Sequence, residues 1–124
     1  MHLEALSPKG KEIFSYLRHF KKFCLAGGTA LALQIGHRVS VDFDLFSKRE
    51  ISKVLLDNVR EIFGKMQVVP SVNNSDELTV FIEDTKVTFL FYPFPVVAPQ
   101  VKYQGMTLLS VEELSATKAY TIGR

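Results

Sequence analysis

The 124-residue sequence holds a single cysteine, Cys24, and no tryptophan. One thiol cannot close an intramolecular disulfide, so a disulfide-stapled secreted scaffold is excluded and a reducing compartment fits. Cys24 stands in the apolar run Phe23-Cys24-Leu25-Ala26, the setting of a buried, inert thiol. No apolar run approaches the ~18 residues that a membrane span needs, and the first residues have no signal-peptide core. The expectation is a cytoplasmic protein with no membrane partner. Charge of one sign is also lacking: the formal net charge is +2 and Lys and Arg are spread along the chain, so charge alone does not argue for a nucleic-acid surface. What is present is apolar. At 47% hydrophobic residues the chain can bury one compact core, and it is too short for two ordinary domains. Residues 1–124 are therefore expected to form a single domain.

Ser7-Pro8 reads as an N-cap with Pro at the first helical position. Ile13, Phe14, Leu17 and Phe20 follow at helical spacing, predicting an amphipathic helix that ends by Lys21-Lys22. Residues 23–26 read as a short buried strand. Residues 29–35 continue as a helix that is apolar nearly all round, stopped by Gly36. A strand over 41–46 follows. Ser47-x-x-Glu50 has the form of a capping box for a helix over about 51–63, ended by Gly64. Strands are expected at 66–72, 78–82 and 86–92, with turns at 73–76 and at Glu83-Asp84-Thr85, and a short edge strand at 101–103. Ser110-x-x-Glu113 opens a last helix. Helices alternating with strands, then a run of strands, suit an α+β fold with helices packed against a mixed sheet.

The densest chemistry lies in Gly27-Gly28-Thr29 followed by Asp42-Phe43-Asp44. Two carboxylates two residues apart on a strand share a face. Like charges held side by side call for a cation, and Mg²⁺ takes oxygen ligands from one or two carboxylates plus substrate phosphates. The Gly-Gly step permits positive φ and close backbone approach, and it leads into a helix whose N-terminal N–H groups favour an anion. An anion cradle followed by a paired-carboxylate strand is what metal-assisted phosphoryl or nucleotidyl transfer requires. The plain structural reading of the same residues is a tight strand-to-helix turn with an N-cap threonine and a solvated strand face.

Residues 23–46, with the Gly27-Gly28-Thr29-Ala30-Leu31 block, Arg38-x-Ser40, and Asp42-x-Asp44 followed by Leu45-Phe46, resemble the AbiEii/AbiGii nucleotidyltransferase toxins, within the DNA polymerase β-like superfamily. Residues 87–95 look like that family's next core strand, and 108–124, with Lys118 and Arg124, like its following helix. The resemblance implies a polymerase β-like α+β fold and transfer of a nucleotidyl group from an NTP to an RNA or protein acceptor. Asp42 and Asp44 would be catalytic and would hold Mg²⁺ or Mn²⁺. Gly27, Gly28, Thr29, Arg38, Ser40 and Lys118 would bind the nucleotide. A toxin of this kind implies a cognate antitoxin and a role in a toxin–antitoxin or abortive-infection pair.

Two departures follow from the resemblance. Thr88 stands where the family's third carboxylate is expected, and Glu83 and Asp84 read as turn residues. The chain also stops where the family continues through further helices. Two other readings therefore stand beside the enzyme: a catalytically impaired nucleotide-binding module, and an interaction domain that docks a partner through an exposed aromatic stretch at 89–94.

Overall fold

A computed structural model describes residues 1–36, 42–93 and 100–109. After a 3-10 turn at Leu3–Ala5, the elements run α1 (Pro8–Leu17), β1 (Cys24–Ala26), α2 (Gly27–Ile35), β2 (Phe43–Ser47), α3 (Leu55–Phe63), β3 (Val68–Asn73), β4 (Glu77–Ile82), β5 (Thr85–Phe91), β6 (Val101–Tyr103) and β7 (Met106–Leu108). The seven strands form one sheet in the order β3-β4-β5-β2-β1-β7-β6. The β1–β7 and β2–β5 pairs are parallel and the others antiparallel. This is the expected α+β class with a mixed sheet.

One sheet face carries most of the core. Phe43, Leu45, Val87, Phe89, Leu78 and Val80 are all fully or almost fully buried. The aromatic side chains of α1 and of the turn after it close over this face: Phe14 stacks on Phe43 with ring centres 6.4 Å apart, and Phe20 meets Phe89 at 5.0 Å. Phe63 of α3 joins through Tyr16 at 5.3 Å. The opposite face of β2, β5 and β4 is where the polar residues gather. Period-two alternation thus divides the sheet into an apolar packing face and a face that carries Asp44, Thr88 and Thr79.

Several expectations shift by a few residues. Ser7 caps α1 as expected, accepting from the Gly10 N–H. The helix stops at Leu17, before Lys21-Lys22, because the His19 and Phe20 N–H groups turn back to the carbonyls of Tyr16 and Leu17 and swing Phe20 into the core. The capping box at Ser47 does not form. Ser47 is the last residue of β2, paired with Phe91, and its hydroxyl accepts from the Arg49 N–H. The helix starts only at Leu55, behind Val54 and without a side-chain cap. The strand β7 was not foreseen; a two-residue turn at Gln104-Gly105, both with positive φ, folds it back on β6. The aromatic stretch expected to be exposed is instead packed inward: Phe89, Leu90 and Tyr92 are buried and Phe91 half-buried, while Phe94 lies outside the described residues. A docking role for this stretch loses its basis. The final helix, from Ser110 onward, also lies outside the described residues.

Candidate functional site

Antiparallel pairing of β1 with β2 sets Ala26 opposite Asp44, so the chain leaves β1 beside that carboxylate and enters α2 at once. Gly27 takes the turn with φ +68°, and a Cβ built there would lie inside van der Waals contact of the Asp44 carboxylate, 3.2 Å from its Cβ. Asp44 therefore packs directly over the glycine, and a side chain there would push the carboxylate aside as well as strain the backbone. Gly28 does not share the positive φ. It sits in the first turn of α2, one residue beyond the close approach. Thr29 is buried, and its hydroxyl donates to the backbone carbonyl of Asp42. Its side chain thereby ties α2 to the chain entering β2 and is directed at Asp42. Asp42 itself is exposed and lies just before the strand.

Parallel pairing of β2 with β5 sets Thr88 directly beside Asp44, and antiparallel pairing sets Thr79 of β4 beside Thr88. The two threonine hydroxyls are 3.3 Å apart, and Thr79 donates to Glu77 Oε2 at 2.5 Å. A polar row thus crosses the sheet from Asp44 through Thr88 and Thr79, with Glu77 at its end. Burial raises the pKa of Asp44 first of all, with Lys86 acting in the opposite sense and Asp42 and Glu77 adding repulsion that raises it further. Lys86 and Glu77 were missed from sequence. The signal was available: the turn at Glu83-Asp84, both with positive φ, is a two-residue hairpin, and counting outward from it fixes Thr79 opposite Thr88 and Glu77 opposite Leu90. Glu83 is engaged elsewhere, accepting from the Gln67 N–H.

Among the described residues no three His, Cys, Asp or Glu side chains converge as a metal-holding group. Asp44, and Asp42 two residues before it, would be the carboxylate donors beside the Gly27 turn. This donor set fits a hard divalent cation that completes its shell with substrate phosphates. Arg38, Ser40 and Lys118, the other expected nucleotide contacts, lie outside the described residues.

The sequence of residues 12–123 matches the family model described as nucleotidyl transferase AbiEii toxin, type IV TA system. The chain belongs to this family. Among curated relatives, the chain is similar to "Uncharacterized protein aq_aa25" of Aquifex aeolicus (strain VF5), 30% identical over 104 residues that cover 82% of this chain and 50% of that protein. Two solved structures share the fold. One is JHP933 from Helicobacter pylori, with TM-score 0.63 and 19% identity, covering 91% of this chain and 57% of that one. The other is a "putative nucleotidyltransferase from H. pylori", with TM-score 0.62 and 18% identity, covering 87% and 55%. The AbiEii-family chain described here thus spans about half the length of the relatives it matches. Among its described residues no helix is long and apolar enough to cross a membrane.

Proposed function

We propose that this chain is the nucleotide-binding and catalytic half of a metal-dependent, cytoplasmic AbiEii nucleotidyltransferase, the toxin of a toxin–antitoxin pair with a cognate antitoxin. The observation that carries this reading is the packing of half-buried Asp44 over Gly27, with Asp42 tied to α2 through Thr29. Asp42 and Asp44 would hold Mg²⁺ or Mn²⁺, which would neutralise phosphate charge and polarise the α-phosphoryl group. Gly27, Gly28 and the Thr29 N–H stand at the start of α2, where a helix N-terminus favours phosphate. Arg38, Ser40 and Lys118 are proposed to add contacts to the triphosphate. In the reaction, an acceptor hydroxyl oxygen of RNA or protein bonds to the α-phosphorus. The bond to the bridging oxygen breaks, pyrophosphate leaves, and the hydroxyl proton passes to solvent.

Thr88 supports a slow version of this chemistry. It stands beside Asp44 without a basic group to take the acceptor's proton, and Glu77, on the second strand over, already accepts from the Thr79 hydroxyl. That favours, as second reading, a nucleotide-binding module with little turnover. A labelling experiment decides between the chemistries. With bulk RNA and protein as acceptors, label from [α-³²P]NTP is expected to become acid-insoluble slowly, and label from [γ-³²P]NTP not at all. Incorporation of the γ label would contradict nucleotidyl transfer, and no incorporation alongside intact metal-dependent NTP binding would favour the second reading.

A further inference from the structure

The Asp44 face of the sheet continues to Phe46, two residues along β2, and to Cys24, which pairs with Phe46 from β1. A cavity of about 220 Å³ opens there, lined by Phe46, Tyr92 and Cys24 together with Lys22, Lys48 and Arg49. The aromatic rings are buried and form the floor, 5.0 Å apart, while the three cations are exposed and form the rim. Among the described residues no carboxylate lines it. An aromatic floor under a cationic rim is complementary to a flat, weakly polar ring that carries an anion. The cavity is smaller than the 300–1,000 Å³ usual for ligand pockets, so it has room for one such unit. It also lies only about 7 Å along the strand from Asp44, close to the length of one nucleotide.

We propose that this cavity is a second nucleotide subsite, which takes a nucleoside phosphate other than the NTP: base on Phe46 and Tyr92, phosphate on Lys22, Lys48 and Arg49. Its role as the acceptor's place rests on the reading of Asp42 and Asp44 given above; its binding of a nucleoside phosphate does not. The ligand's source is either the terminal residue of a nucleic-acid strand or a free mononucleotide. The test uses the full chain without NTP or divalent metal, and three probes containing 2-aminopurine, whose fluorescence falls on stacking. The probes are an RNA octamer and a DNA octamer with the analogue at the 3′ end, and the analogue's 5′-monophosphate. The double variant Lys48→Glu/Arg49→Glu is expected to bind at least about tenfold more weakly. For the octamers it should also lose about 1.4 from the log–log salt slope, two contacts at ~0.7 each. Arg60→Glu/Lys65→Glu, on and just after α3 across the sheet, should bind like the parent and so controls for net charge. Asp42→Asn/Asp44→Asn should keep probe binding whether or not it loses NTP, which separates this subsite from the catalytic reading. Tighter binding of an octamer than of the monophosphate assigns the subsite to a strand end, and equal binding assigns it to a free nucleotide. Failure of all three probes to bind, as expected if the acceptor is a protein hydroxyl, or equal binding by Lys48→Glu/Arg49→Glu and the parent, would overturn the proposal.

Discussion

Burial, and the neighbouring Asp42 and Glu77, hold the Asp44 carboxyl above the ordinary carboxylate range. A raised acid binds its proton more tightly in the folded chain than in the unfolded one. Its stabilising contribution is thus complete below the unfolded pKa of about 3.9, and is lost as pH rises through the higher folded value. Asp44→Asn keeps the shape and removes the charge. We expect it to melt higher than the parent at pH 7, with the difference disappearing as both are titrated down toward pH 4, read by thermal denaturation across pH. A variant less stable at neutral pH would mean that Asp44 is satisfied without a cation. Gly27 is the companion residue. Gly27→Ala puts a methyl group against the Asp44 carboxylate and forces a left-handed backbone on alanine, worth roughly 1–2 kcal/mol by itself. Chemical denaturation should show at least that loss. NTP titration of the folded variant should show weaker binding as well, because Asp44 must move; unchanged affinity would reduce Gly27 to a turn residue.

At the scale of elements, the site is a matter of register. Thr88 lies directly beside Asp44 through the parallel β2–β5 pairing and is 8% exposed. An aspartate at position 88 would therefore share the face of Asp44. General-base assistance is worth about 10²–10⁴-fold, so Thr88→Asp should raise transfer of α-labelled nucleotide by at least about tenfold, with the gain growing as rising pH ionises the crowded carboxylates. No gain, in a variant that still binds NTP, would place the limit on turnover elsewhere. The local elements around this register were legible because each carries its own signal: Pro8 behind Ser7, Gly36 after the apolar helix, and β-branched alternation in β4 and β5. The place of Asp44 on the polar face of β2 was legible for the same reason, since a period of two needs no partner strand to be seen, whereas Asp42, expected on that strand, lies just before it. The start of α3 was not, because Ser47 is claimed by pairing with β5 and by the Arg49 N–H, interactions that local sequence does not encode. The grouping of Glu77 and Lys86 with Asp44 was hidden for a related reason: it exists only once β4, β5 and β2 are laid side by side.

For the molecule as a whole, the AbiEii family match runs over residues 12–123 while the chain spans about half the length of its matched relatives. Aromatic side chains of α1 and α3 pack toward one face of the sheet and Asp44 stands on the other, so the core of the proposed nucleotide site draws on β1, α2, β2 and β5. The most direct measurement is a thermal melt of the parent and of Asp42→Asn with NTP, with Mg²⁺ or Mn²⁺, and with both. A ligand at about 100 times its Kd stabilises by about 2.7 kcal/mol, which in a domain of this size is a shift of several degrees. The parent is expected to show that shift only when NTP and metal are present together, and Asp42→Asn to lose it while remaining folded. An equal shift with NTP alone, or a shift retained by Asp42→Asn, would contradict a metal-dependent nucleotide site built on Asp42 and Asp44.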